Sequence, residues 1–274
     1  LDYVKSIAVN VKNNMSKKII GICGDSFMAA IEKDESHPDN GHGKHFTEIL
    51  AKKLDWDIIT YARGGCSNQS IRLQIDEIIK HKPNHVIIGS TTPDRLEIPI
   101  PNLSVTAYED KWTEKNYNPF NGLYNISYMN YNSESRRHEG FSKIEPTLVS
   151  ETMSNIFRNT NLDHIGKEKK NAIEQYFMYL YDYEWKLQQD SWILSEGLYK
   201  LKENKISFDI IIYNLHIHTF SSHFRNVIDN KNPLNPWTYY DPKTNSPYPF
   251  HLLENDEILL SNLWFEHLTK TKLI

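Results

Sequence analysis

The sequence is poor in the residues that cross-link or address small secreted proteins. Two cysteines in 274 residues, Cys23 and Cys66, exclude a disulfide framework, and their spacing does not fit a zinc site. A reducing compartment, or indifference to redox state, is the expected setting. Arginine is scarce, with seven residues and no dense run, and the balance of 31 basic against 35 acidic side chains leaves a net charge of -4. That balance provides no electrostatic footprint for nucleic acid, so no such partner is expected. No segment reaches the ~18 apolar residues of a membrane span. Residues 1–14 lack the apolar centre of a secretory signal, so a cytoplasmic setting is the expectation, with the compartment otherwise open.

What is present describes a soluble globular chain. At 39% hydrophobic and 24% charged it is neither a disordered tail nor a coiled coil, and it is long enough to bury a substantial core. Met15, followed by Ser16-Lys17-Lys18 and an apolar run, reads as a natural start, which makes residues 1–14 an N-terminal extension and residues 15–274 one domain. Sixteen Tyr and six Trp are the compositional excess that calls for an explanation.

Residues 18–23 form a short continuous apolar run, as expected of a strand buried on both faces of a parallel sheet. It stops at Gly24-Asp25-Ser26. A helix over 44–54, a strand over 57–61, an amphipathic helix over 68–80 and a strand over 85–89 follow. This alternation predicts a parallel sheet with crossover helices, its loops opening on one edge, where ligands bind in such folds. From about 99 to 166 the periodicity dissolves into an aromatic-rich insertion containing Tyr108, Trp112, Tyr117, Phe120, Tyr124, Tyr128 and Tyr131, expected to be ordered and packed, with a lid and an interface as its open roles. Residues 167–204 read as one long helix, or two end to end, with pattern breaks near Glu184 and Ser191. A buried strand over 208–213, an extended surface connection over 221–250 with five prolines, and a C-terminal helix over 255–270 capped by Asn255 or Asp256 complete the chain. Cys23, within the first strand, is expected to be a buried and inert thiol.

Three segments bear on chemistry. Ser26, at a strand-to-helix junction, places its hydroxyl at the carboxyl edge of the sheet and its own N–H at a helix start, where negative charge is stabilised. The same tripeptide is also a good turn and N-cap. Gly65-Cys66-Ser67-Asn68 follows the second strand, and Gly65 offers an unhindered N–H to that edge, though a tight turn capped by Ser67 or Asn68 reads equally well. Among twelve histidines, His251 stands a few residues before the last helix, in position to return to the edge as a base. His216 and His218, at i and i+2 on a strand, would point the same way, but no carboxylate accompanies them at recognisable spacing, so no metal site is expected. Asp94, Arg95 and Glu97 suit an ion pair or a pocket lining.

Taken together, Gly24-Asp25-Ser26, Gly65 with Ser67-Asn68, and His251 ahead of a terminal helix resemble the SGNH or GDSL hydrolases. The resemblance implies a three-layer α/β/α fold with a flavodoxin-like parallel sheet, interrupted here by the insertion. It implies Ser26 as nucleophile, His251 as base and oxyanion donors from the N–H groups of Ser26 and Gly65, with no metal or organic cofactor. Two positions depart from the family pattern. Where an Asn would donate to the oxyanion, the chain has Gly89-Ser90-Thr91-Thr92-Pro93, leaving Thr91 as substitute donor beside Asn68. Where an Asp would stand three residues before the base, it has Tyr248, leaving Asp241 or a backbone carbonyl to orient His251. The implied activity is hydrolysis of a small or carbohydrate O-acyl ester. The rival expectation is a binding or assembly module of the same fold whose site has decayed.

Overall fold

Strand alternation sorts the core into two layers. In β1 (Ile19–Cys23), Ile20 and Ile22 point to one face of the sheet and Cys23 to the other. The computed structural model describes residues 17–25, 27–28, 45–62, 67–93, 95–99, 124–125, 148–152, 167–213, 215, 217–239, 252 and 254–271. After β1 come α1 (Phe46–Leu54), β2 (Asp57–Thr60), α2 (Asn68–Lys80) and β3 (His85–Gly89). Then follow β4 (Arg95–Pro99), β5 (Tyr124–Asn125) and β6 (Leu148–Thr152), and after them α3 (Lys167–Tyr179), α4 (Tyr183–Glu203) and β7 (Ser207–Ile211). The chain closes with α5 (Ile217–Ser221), β8 (Val227–Ile228), a 3-10 turn (Pro236–Tyr239) and α6 (Glu254–Lys270).

β2-β1-β3-β7-β8 is the order of an all-parallel sheet, with Ile22 beside Ile87 and Gly89 beside Ile211 in register. This is the flavodoxin-like order, in which the chain winds first to one side of β1 and then to the other. Helices α2 and α4 cover one face, where Ile71, Ile75, Leu194 and Leu198 meet Val86, Ile88, Phe208 and Ile210. Helices α1 and α6 cover the other, where Phe46, Leu50, Leu260 and Trp264 meet Ile20, Ile22, Ile87 and Ile211. The three-layer α/β/α expectation is met. Cys23 is fully buried, and burial pushes its thiol pKa upward, so it is not a reactive thiolate.

Several local expectations are corrected. Of the two readings of 167–204, two helices end to end is the one found, with the break at 180–182, close to the expected Glu184, because Asp182 takes an extended conformation and its carboxylate accepts from Trp185 N (2.7 Å) as an N-cap. Ser191 interrupts nothing; its hydroxyl donates to Leu187 O (2.7 Å) within α4. The region after β3 contains regular structure, since β4, β6 and β5 form an antiparallel sheet in that order. The 221–250 segment is not only a surface connection: β8 joins the sheet edge, and the fully buried Asn235 donates to Asp229 O (3.1 Å) and Ile212 O (3.3 Å). Helix α6 starts at Glu254, which puts Asn255 and Asp256 inside its first turn. Residues 217–221 are helical, so His218 is not on a strand, and His216 lies outside the described residues.

Toward the amino end of the strands, Asp209 receives two imidazoles. His267 Nε2 lies at 3.1 Å and His85 Nε2 at 3.2 Å, the latter off the hydrogen-bond axis, while His85 Nδ1 meets Ser207 Oγ at 3.0 Å. Burial opposes ionisation of Asp209, but the hydrogen bond of His267 and the close approach of the His85 imidazole outweigh it and hold its pKa below the ordinary value.

At the carboxyl end, Met28 fills a notch that only glycines leave open. A Cβ on Gly89 would stand 2.4 Å from Met28 Cγ, as would one on Gly24, whose φ of +152° also suits glycine alone. Gly89→Ala is expected to cost about 1–3 kcal/mol in urea unfolding, and adding Met28→Ala should return part of that loss. Gly24→Ala combined with Met28→Ala should recover less, because the backbone strain persists.

Candidate active site

The strand order reverses between β1 and β3, and the loops leaving those two strands frame the crevice where such sheets bind ligands. Each loop is braced by buried side chains. Gln74, fully buried on α2, grips the first: its Oε1 accepts from Gly24 N (2.7 Å) and its Nε2 donates to Gly24 O (3.1 Å). Asp25, 1% exposed, accepts from Phe27 N on Oδ1 (3.0 Å) and from the Thr91 hydroxyl on Oδ2 (2.7 Å). Arg95 Nη2 stands 3.3 Å from the same Oδ2 and balances the buried charge. Met28 N donates to Asp25 O (3.1 Å), closing a four-residue turn.

Asn68 secures the second side. Its Oδ1 accepts from Thr91 N (2.9 Å), and its Nδ2 donates to Thr91 O (2.9 Å) and to Asp190 Oδ2 (2.8 Å). Asp190 is itself paired with Lys186, one helical turn earlier on α4. Ser67, expected as a cap, performs that role for α2 by accepting from Ser70 N (3.2 Å). The two donors expected to face an oxyanion are therefore engaged within the protein. Thr91 gives its hydroxyl proton to Asp25, and Asn68 gives both amide protons to Thr91 and Asp190. In this arrangement they organise the edge, and neither has a spare donor.

Of the remaining expected site residues, Ser26, Gly65, Asp241 and His251 lie outside the described residues, as do Asp94 and most of the insertion. Their described neighbours place the loops. In sequence, Ser26 lies between Asp25 and Phe27, Gly65 belongs to the link between β2 and α2, and His251 precedes the buried Leu252 and helix α6. Arg95 does form an ion pair, but with Asp25, a partner outside the local set of Asp94, Arg95 and Glu97.

Sequence reasoning missed three contributors to this edge. Gln74 falls on the inward face of α2 defined by Ile71, Ile75 and Ile78, so helical periodicity alone would have buried it. Asp190 with Lys186 forms an (i, i+4) pair on α4. Trp237 sits between Phe27, at a ring separation of 3.6 Å, and Tyr213, stacked at 3.8 Å, so an aromatic wall adjoins the Gly-Asp-Ser turn. No short-range signal announces that wall, because Phe27, Tyr213 and Trp237 come from three distant loops.

Among the described residues, no cluster of His, Cys, Asp and Glu could hold a metal ion, and no helix is long and apolar enough to cross a membrane. No family model matches the sequence, and no curated protein matches it. Among solved structures, the chain is similar to the psychrotrophic esterase EstA from Pseudoalteromonas sp., with TM-score 0.41, 10% identity and 92% of this chain aligned to 97% of that one. It is similar to a G-D-S-L family protein from Desulfitobacterium hafniense DCB-2, with TM-score 0.42, 10% identity and coverage of 91% and 98%. It is also similar to a carbohydrate esterase having divergent catalytic and non-catalytic binding functions, with TM-score 0.41, 12% identity and coverage of 93% and 66%. By its own strand order and layers, the chain is an α/β protein whose Gly24-Asp25 turn is braced at the switch point of a flavodoxin-like sheet.

Proposed function

We propose that the protein is a serine ester hydrolase of the SGNH type, acting on a small or carbohydrate O-acyl ester with Ser26 as nucleophile. The observation that carries this reading is the bracing of the Gly-Asp-Ser turn. A buried carboxylate, a buried amide and an ion pair are all spent on fixing the residues either side of position 26 at the ligand-binding edge. Rigid positioning of that kind is what a nucleophile needs and what an ordinary turn does not.

In the proposed reaction, His251 takes the Ser26 hydroxyl proton as the oxygen attacks the ester carbonyl, and Asp241 orients the imidazole. The backbone N–H groups of Ser26 and Gly65 receive the oxyanion. Collapse of the tetrahedral intermediate breaks the bond to the leaving oxygen, which takes the proton from His251. Water, deprotonated by the same base, then releases the acid and restores Ser26. Asn68 and Thr91 serve this edge by holding its loops, and the Phe27, Trp237 and Tyr213 rings supply an apolar wall for the acyl or sugar portion.

One observation favours a second reading, a non-catalytic binding or assembly module of the same fold. The Thr91 hydroxyl, expected as a third oxyanion donor, donates to Asp25 instead. Losing one such donor commonly slows turnover by ~100 to 1,000-fold. The two readings separate on covalent labelling with a p-nitrophenyl alkylphosphonate, which forms a rapid, stoichiometric adduct on an activated serine. Mass spectrometry should find one equivalent of phosphonyl group, on the peptide containing Ser26. An unlabelled chain, or label spread over several hydroxyls, would establish the second reading.

A further inference from the structure

Among the described residues, three half-exposed aromatics recur at seven-residue intervals on α4: Trp185 (53% exposed), Trp192 (52%) and Tyr199 (41%). Seven residues are two helical turns, so the three form a row along one side of the helix. Trp185 and Trp192 meet edge to face at 5.6 Å, and Tyr199 rests on Phe224 at 4.9 Å. The far half of the row is one wall of an open groove of about 480 Å³ between α4 and the segment around α5, lined by Trp192, Ser195, Tyr199, Lys200, Thr219 and His223. That volume is within the range of small-molecule sites.

Two features of the groove point to a ligand. Ser195 is 8% exposed, and its Oγ has no hydrogen-bond partner. A buried hydroxyl left unpaired costs about 1–3 kcal/mol, and Ser191, one turn earlier, avoids that cost by donating to Leu187 O. Of the charges near Ser195, Glu196 and Lys200 are already matched, whereas Glu203, which also lines the groove, belongs to none of these pairs. Glu196 is bonded to Arg72 and lies 3.2 Å from Lys200, and Lys200 also reaches Asp76 at 3.0 Å. The groove thus combines flat aromatic faces, an unpaired hydroxyl and the exposed carboxylate of Glu203, a set that disfavours an anion and suits a neutral, hydroxyl-rich, ring-shaped ligand whose hydroxyls can donate to that carboxylate.

We propose that this groove is a carbohydrate-binding site separate from the Ser26 edge, in which the apolar face of a neutral sugar ring stacks on Trp192 or Tyr199 and the Ser195 hydroxyl pairs with a sugar hydroxyl. The row leads away from the braced edge, since Asp190, two residues before Trp192, accepts from Asn68, and Tyr181 donates to Pro93 O (3.1 Å) beside β3. A sugar chain on α4 is therefore held alongside that edge. The inference does not depend on catalysis by Ser26.

The test is saturation-transfer NMR and titration calorimetry on the full chain, using neutral tetrasaccharides of β-glucose, β-xylose, α-mannose, β-galactose and N-acetylglucosamine. At least one should bind saturably, and Trp192→Ala and Tyr199→Ala should each weaken it by roughly tenfold or more, the equivalent of about 1.4 kcal/mol. Ser195→Ala should weaken sugar binding while raising Tm, a pairing that a purely structural serine would not produce. Ser26→Ala should retain full affinity, and Trp192→Ala should retain whatever rate of p-nitrophenyl acetate hydrolysis the native chain has. Failure of all five sugars to bind would overturn the proposal. So would binding that survives the Trp192 and Tyr199 changes but is lost in Ser26→Ala. Absence of esterase activity with groove binding intact would remove the catalytic reading and leave this one standing.

Discussion

Ser26→Ala should lower kcat for p-nitrophenyl acetate by about a thousandfold or more, with thermal unfolding unchanged within a few degrees. The size follows from the role, because without the hydroxyl oxygen there is no acyl-enzyme and only the oxyanion donors and binding remain. The contrast with neighbouring changes is as informative as the loss itself. His251→Ala should fall by a similar amount, since base and nucleophile act as a unit, and combining the two should cost little more than either alone. Asp241→Asn should be milder, because it removes orientation of the base and not the base itself. A native rate equal to that of Ser26→Ala would refute the mechanism. A full loss in Ser26→Ala with no effect of Asp241→Asn would keep the nucleophile and transfer the orienting role to another group.

The second large effect concerns stability against pH. Glu257 on α6 is buried, and its carboxylate accepts from Phe46 N at 2.6 Å at the start of α1. Burial dominates and raises its pKa; the Phe46 bond opposes this, while the charges of Asp256 and Glu48 reinforce it, leaving the pKa near 8 against an ordinary 4.5. The folded state thus holds this proton more tightly than the unfolded state. Its contribution is complete below about pH 4.5 and is lost as pH rises to about 8, by at most about 5 kcal/mol. Glu257→Gln keeps an acceptor for Phe46 N and removes the titration. Its urea midpoint should match the native protein near pH 4.5 and exceed it clearly at pH 9, and equal midpoints at both values would show that Glu257 ionises without penalty. Asp209 acts in the opposite direction. Because its pKa is depressed below 3.8, the stability it contributes is present above that value and is lost as pH falls through the folded pKa.

The parts of the fold that could be read from sequence are those where burial dictates composition. Residues 18–23, 57–61, 85–89 and 208–213 are near-continuous apolar runs because both faces of their strands are covered, and the structure places a strand in each. β8 was not legible, as two residues, Val227 and Ile228, are too few to carry a pattern. The break before α4 was legible as a lapse in apolar spacing near Glu184, while its cause, the Asp182 cap three residues ahead of Trp185, was not singled out. At the site, Gly24 and Asp25 announced themselves through their neighbours in sequence. Their braces did not: Gln74 is 50 residues away, Thr91 is 66 and Trp237 closes its stack from another loop, contacts that only tertiary assembly brings together.

The pair formed by Asp25 and Arg95 bears on how this protein could be re-engineered. Arg95 is the first residue of β4, where the small antiparallel sheet begins, yet its guanidinium neutralises the carboxylate that precedes Ser26. Grafting a different insertion after β3 is therefore not a free exchange of cassettes. The graft must begin with a cation at position 95, or with a neutral partner matched by Asp25→Asn, because an unpaired buried carboxylate costs about 3–5 kcal/mol.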